Sequence, residues 1–396
     1  MKRFTIISVL LLLMFAVSGF SQNKLDSLDN ALKKAESDSR RVELLNQIAN
    51  EYVEIDPGKM MDFANKALKL AQLKKLKQAE AESWFNLGNA NIMVSKYTEA
   101  LKSFTNAQGI YEQLLVEKPE DKAISNGLGK TYGSIGVVCS EQSNYAKSLE
   151  YYFKALKIYR QINDEAMLSI LYNNIGIIYK TQKDYTRSLN YFNKALESQR
   201  KIKDNAYMGI TITNIGNVYL AEGNKERALK YYNEAYAFFM KYENKRGLGE
   251  LFNSLGQYYS KAENPEKEEE NYKKGLAVFE GIGDKYGASA SLGYLGNFYA
   301  GQSRNKEALS FLEKSSVMAQ EIGVLEQVEE SEKSISNIYE KSGNYAEALK
   351  HYKKYSAAKD SINNAESIKA MVREEMNYEM ERKAELQKAE NDKQRA

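Results

Sequence analysis

Apolar and polar positions recur along this chain with a period of forty residues. The reference point is the small residue of an Ile-Gly or Leu-Gly pair at Gly136, Gly176, Gly216, Gly256 and Gly296, with Ser336 next in register and Gly88 and Ala49 upstream. The residue before it is aliphatic in all eight copies: Ile48, Leu87, Ile135, Ile175, Ile215, Leu255, Leu295 and Ile335. Three residues after it stands Tyr52, Tyr179, Tyr219, Tyr259, Tyr299 or Tyr339, with Cys139 in the third copy. These positions share one face of a 3.6-residue helix. Glycine inside a helix costs about 1 kcal/mol relative to alanine. Its return therefore implies a close approach of two helix backbones where a side chain would clash.

A second helix follows in each copy. Leu189, Phe192 and Ala195 recur as Leu149, Tyr152 and Ala155 and as Leu229, Tyr232 and Ala235. Residues that cap helix starts precede it: Asn144, Asp184, Asn224, Asn264 and Asn344. Pro57 and Pro265 follow Asp56 and Asn264, at the first helical position where no amide donor is needed. The first helices carry their own caps at Asp164, Asp204, Asn244 and Asp284. Each repeat thus reads as a helix of about 17 residues, a turn of three or four, and a second similar helix. One pair cannot bury its apolar faces alone, but stacked pairs can, which predicts a solenoid. The interval from Gly88 to Gly136 is forty-eight, and the eight extra residues are assigned to a longer connection at "VEKPEDKA", around Pro119.

Composition supports an all-α chain. Only three prolines occur in 396 residues, apolar content is 43% and charged content 28%. Net charge is +3 with both signs interleaved, so no clustered basic surface for nucleic acid is expected. The run Lys69, Lys74, Lys75 and Lys77 reads as a solvated helix face. A single Cys and a single His give no intrachain disulfide, zinc site or His-cluster metal site. Cys139, in the tyrosine slot, reads as a buried thiol, and His351, in "LKHYKKY", as a surface residue. The "GKT" at Gly129 lacks the upstream glycine of a phosphate loop and lies on a repeat helix. No catalytic residue, metal ligand or cofactor site is assigned, and the expectation is a non-enzymatic protein.

The first 21 residues differ from the rest. Two cations precede an apolar stretch from about Ile6 to Val17, and small residues follow, with Gly19 and Ser21 at the positions of a cleavage site. That is the layout of a secretory leader, and an uncleaved anchor is the alternative. The expected location is extracytoplasmic, with the repeats occupying 22–360 and a charged helical tail 361–396.

The segment "IGIIYKTQKDYTRSLNYFNKAL" resembles the tetratricopeptide repeat, with its small-x-x-Tyr first helix and Tyr-x-x-Ala/Ser-Leu-x-x-aromatic-x-x-Ala second helix. The resemblance covers roughly Asp26 to Asp360. Two copies depart: the sixth has Glu268 and Glu269 in place of Ala/Ser and Leu, and the first lacks the usual turn. The common period is about 34; forty implies longer helices, similar to the peptide-sensing and kinesin-light-chain-like branches. The resemblance implies a right-handed α-solenoid of about eight units whose first helices line a concave groove.

The positions two before and one after the reference glycine lie opposite the buried face. They hold Asn86, Asn89, Ser134, Asn174, Asn214 and Asn217, then Ser254, Gln257, Asn297, Ser334 and Asn337. An amide donates and accepts, so this ladder suits an extended peptide or protein segment as partner. The same amides would equally serve to bridge neighbouring helices. In the tail, Ile368, Val372, Met376 and Met380 recur loosely among dense mixed charge, which suits a dimeric coiled coil or a lone solvated helix. Exported tetratricopeptide sensors of bacterial membranes resemble this arrangement, and there a membrane helix and a signalling output follow. The resemblance implies membrane attachment beyond residue 396. A free-standing envelope scaffold is the second reading.

Overall fold

The computed structural model describes residues 21–362 apart from 54, 55, 95 and 143. Residues 1–20 of the leader, and the tail positions Ile368, Val372, Met376 and Met380, lie outside the described residues. Within them the chain forms seventeen α-helices. After α1 (Ser21–Lys33) come eight antiparallel pairs. These are α2/α3 (Asp38–Glu51, Pro57–Leu73), α4/α5 (Lys77–Met93, Tyr97–Glu117), α6/α7 (Lys122–Glu141, Tyr145–Ile162) and α8/α9 (Glu165–Thr181, Tyr185–Ile202). Then follow α10/α11 (Asn205–Glu222, Lys225–Lys241), α12/α13 (Lys245–Lys261, Pro265–Gly281), α14/α15 (Lys285–Gly301, Asn305–Glu321) and α16/α17 (Leu325–Lys341, Tyr345–Ile362). Each packs on its sequence neighbours, which makes an all-α solenoid.

The expected caps act as caps. Asp164, Asp204, Asn244 and Asp284 accept from the amides of Met167, Tyr207, Gly247 and Gly287, at 3.0, 3.2, 2.8 and 3.0 Å. Asn144, Asp184, Asn224 and Asn264 do the same for the second helices. Each fixes a helix start, so the turns between paired helices stay at two or three residues where the structure describes them throughout.

The reference glycine is what lets the two helices of a pair meet. A Cβ on Gly176 would lie 2.8 Å from the Phe192 ring, and one on Gly216 2.6 Å from that of Tyr232. Gly88 faces Phe104, Gly136 faces Tyr152 and Gly256 faces Tyr272 in the same way. In two pairs a serine completes the seam: Ser148 Oγ donates to Gly136 O at 2.6 Å and Ser188 Oγ to Gly176 O at 2.7 Å. In the last pair the bond reverses, with Ser336 Oγ donating to Ala348 O.

The tyrosine slot carries a second repeated contact. Tyr179 stacks on Tyr191, Tyr219 on Tyr231 and Tyr299 on Phe311, with ring centroids 5.5, 5.3 and 5.3 Å apart. Arg187, Arg227 and Arg304 lie over the same three tyrosines at 4.7, 5.4 and 4.4 Å. Each tyrosine is thus held between a ring and a guanidinium.

That motif corrects the surface reading of His351, which is 6% exposed. It occupies the stacking position of Tyr191, Tyr231 and Phe311, and its ring stacks on Tyr339 at 5.6 Å. Its Nδ1 lies 2.5 Å from Glu332 Oε2, a carboxylate 2% exposed that also accepts from Ser316 Oγ at 2.6 Å. Cys139 is buried, as its slot implies. The eight extra residues are also placed differently from expectation. They lengthen α5 to 21 residues and α6 to 20, and the connection between them is only 118–121. Ile124, on the added turn of α6, is buried against Tyr111 and Leu128, and Asp121 caps α6.

The array also closes on itself. Leu325 packs against the cluster of Tyr97, Phe104 and Cys139, and the Tyr97 hydroxyl donates to Glu326. Beside them Gly323 has a φ of +75° in a turn that leaves 3.4 Å between a Cβ there and the Val94 backbone. The second and eighth pairs therefore meet after one turn of the superhelix.

Gly216→Ala should lower stability by about 1–3 kcal/mol, because a methyl drives into the fully buried Tyr232 ring. Gly109→Ala, on α5 with nothing within 4 Å of the added Cβ, should raise it by about 1 kcal/mol through helix propensity alone. Thermal melts of the two variants test this, and equal effects of the same sign would contradict it.

Candidate functional site

The first helices of successive pairs stand side by side and turn one face inward. From α8 to α16 that face lines a groove of about 1130 Å³. Its floor is polar: Thr213, Asn214 and Asn217 on α10, Asn253, Ser254 and Gln257 on α12, Tyr294 and Asn297 on α14, and Ser334 and Asn337 on α16. Phe239 and Phe279 contribute apolar wall.

Of the amide ladder, the structure brings Asn214, Asn217, Gln257, Asn297 and Asn337 into this one groove. Asn86, Asn89 and Asn174 lie outside its lining and are buried. Asn86 Nδ2 donates to Asn46 O at 3.2 Å, which ties α4 to α2. Asn174 lies beside the buried Tyr152 hydroxyl. Bridging and groove-facing positions are therefore both present, divided along the array.

The groove amides are themselves partly engaged. Asn214 Nδ2 donates to Asn173 Oδ1 at 3.1 Å. Asn217 Oδ1 accepts from the Tyr232 hydroxyl at 2.7 Å, and Asn297 Oδ1 accepts from Ser334 Oγ at 2.8 Å. Gln257 Nε2 donates to the Tyr294 hydroxyl at 3.0 Å. Each of the last three keeps its other function for the groove. Asn217 offers its NH2, Gln257 its carbonyl and Asn297 its NH2, so the offered groups alternate along the floor.

The charged groups of the groove did not emerge from the repeat pattern. Arg246 Nε lies 3.3 Å from Asp284 Oδ2 and 3.6 Å from Glu250 Oε1. Burial pushes the Glu250 carboxyl up, with the Arg246 guanidinium opposing it. Burial likewise raises Glu268, on the first turn of α13. Lys180, at the end of α8, is half-buried, and its ammonium is pulled from 10.5 down to about 8 by burial. Glu268 was visible in sequence as a break in the repeat. Lys180 also has a signal there: the same register holds Ser140, Leu220, Ser260 and Ala300, with a carboxylate, Glu340, only in the last copy.

Residues 127–281 match the tetratricopeptide repeat family model in three overlapping segments, 127–201, 166–241 and 207–281. The same helix pair and glycine seam run on to either side of that stretch. This stretch is built of tetratricopeptide repeats, and the chain as a whole is similar to that family. Among solved structures of similar fold is a Rap protein complexed with competence and sporulation factor, at 16% identity, covering 88% of this chain and 98% of that one, with a TM-score of 0.58. Aspartyl phosphate phosphatase F from Bacillus subtilis aligns at 17% identity over 87% and 95%, with a TM-score of 0.56. The Rap conjugation gene regulator of plasmid pLS20, in complex with the Phr* peptide, aligns at 16% identity over 87% and 96%, with a TM-score of 0.55. No curated protein matches the sequence. At these identities the likeness concerns the fold.

The folded chain binds the Lys180 proton more weakly than the unfolded chain does. Stability should therefore rise as pH goes from about 8 to 10.5, where only the unfolded state still holds that proton. Lys180→Met should stabilise the protein at pH 7 by on the order of 1–3 kcal/mol and remove this part of the rise. Urea unfolding of both proteins at pH 7 and pH 10 measures the difference, and a variant less stable at pH 7 would contradict it.

Proposed function

We propose that the groove binds an extended peptide or protein segment, and that the chain is an exported binding scaffold serving as the input region of a signalling system, without catalysis of its own. The observation that carries the binding reading is the alternation of offered groups at Asn217, Gln257 and Asn297. An extended backbone presents carbonyls and amides in alternation, and a donor–acceptor–donor floor matches it without regard to side chains. The amides are pre-set by bonds to Tyr232, Tyr294 and Ser334, which lowers the ordering cost of binding. The pLS20 regulator, of similar fold, is solved with the Phr* peptide. Four or five such bonds at about 1 kcal/mol each, with apolar contacts to Phe239 and Phe279, give affinity in the micromolar range. Export is supported by the leader layout of residues 1–21, and the signalling role by the resemblance of leader, array and charged tail to exported sensors.

Panning the full chain against a displayed library of random decapeptides should enrich binders with micromolar affinity. Asn217→Ala and Asn297→Ala should each weaken them roughly fivefold, one hydrogen bond apiece. Asn86→Ala, outside the groove, should lower the melting temperature and leave binding unchanged. Failure to enrich any peptide, or equal loss in Asn86→Ala, would overturn the reading. For export, N-terminal mass analysis of the protein from its source cells should find the chain starting at Gln22.

A further inference from the structure

Most charged side chains of the groove are already engaged. Arg246 is held between Asp284 and Glu250. Lys261 Nζ donates to Leu220 O at 3.1 Å, and Lys333 lies over the Tyr355 ring at 5.8 Å. Lys180 and Glu268 are different. Among the described residues, Lys180 has no ion pair and no hydrogen bond from its ammonium, and Glu268 has only the Ser260 hydroxyl. Both line the groove along one edge, where first helices end and second helices begin.

Neither charge is required by the fold. The register of Glu268 is held by Ser148, Ser188, Ala228 and Ala308, all completely buried at the seam of their pairs. The register of Lys180 is held by Ser140, Leu220, Ser260 and Ala300, and in the last copy by Glu340, which is exposed. At both places the chain departs from its own repeat, and each departure sets an uncompensated charge, partly stripped of water, in the same groove. Leaving such a charge unpaired is costly, and an opposite charge brought by a ligand recovers that cost on binding.

Resting on the peptide-groove reading, we propose that the ligand is a peptide carrying two charges, a carboxylate that pairs with Lys180 and an ammonium or guanidinium that pairs with Glu268. The alternating amides hold its backbone and these two side chains select its sequence. The carboxylate comes from an acidic side chain or from a C-terminus, and the cation from Lys, Arg or an N-terminus.

The test uses the full chain and four pools of fluorescent decapeptides, random except for fixed residues. One pool carries one Asp and one Lys, the second Asn for the Asp, the third Gln for the Lys, and the fourth both replacements. Each is made with free ends and with acetylated and amidated ends. The wild type should bind the doubly charged pool roughly tenfold tighter than either singly charged pool. Lys180→Glu should lose the preference for Asp and Glu268→Lys the preference for Lys, each shifting toward the opposite charge. A gained preference cannot come from unfolding. If the uncharged pool binds as tightly as the doubly charged one only with free ends, the charges belong to the termini; if capping changes nothing, they belong to side chains. Both results support the proposal. Binding that ignores charge in the wild type, or a preference unaltered in Lys180→Glu and Glu268→Lys, overturns it and leaves the peptide reading standing. No binding of any pool overturns the peptide reading itself.

Discussion

The structure depends on one steric condition: in most pairs the first helix must present a bare backbone at the point where the second helix sets down a large side chain. Gly136, Gly176, Gly216 and Gly256 meet Tyr152, Phe192, Tyr232 and Tyr272 there, with no room for a Cβ. A glycine in mid-helix costs about 1 kcal/mol in propensity. Burying an aromatic side chain contributes roughly twice that or more. The exchange favours the seam, and five such contacts set the pairing distance along the array. Once that distance is fixed, the rest of each repeat follows. The tyrosine three residues on comes into register with the ring at the matching place on the second helix, and the arginine from the following helix start closes over it.

A condition that holds between neighbours propagates only to neighbours, as in any solenoid. The superhelix nevertheless makes one contact far apart in sequence, Tyr97 with Glu326 beside the Leu325 packing. The winding of the array brings the eighth pair against the second. This closure bounds the space inside the array and turns a curved surface into a groove with walls.

Much of this was legible in the chain itself. The forty-residue period, the caps at Asp164, Asp204, Asn244 and Asp284, the glycine seam and the buried Cys139 all follow from local rules, because a cap or a close approach involves residues whose spacing the helix fixes. What was not legible depends on sums over many repeats or on partners remote in sequence. Superhelical closure is one such sum. The division of the amide ladder is another: Asn86 and Asn217 occupy related registers, yet one is sealed against α2 and the other faces the groove. His351 was misread because its neighbours in sequence are polar, whereas its burial comes from the stacking slot and from Glu332 nineteen residues away. The eight inserted residues were misread because a proline suggested a loop, whereas most of them extend the two helices and seat Ile124 against Tyr111 and Leu128.

The groove shows where fold and function part company. Asn217, Gln257 and Asn297 serve both, since each bonds within the array with one end and offers the other. On the proposed reading, a substitution there disturbs structure and recognition together. Lys180 and Glu268 are not what the fold asks for: the other described buried or half-buried copies of both registers are uncharged, and burial opposes both charges. A repeat protein makes this distinction visible without any second sequence, because each position carries its own internal controls forty residues away. Where Ala100, Ser148, Ser188, Ala228, Ala308 and Ala348 satisfy the fold and Glu268 stands in the same register against the opposition of burial, the proposed ligand supplies the reason for the carboxylate.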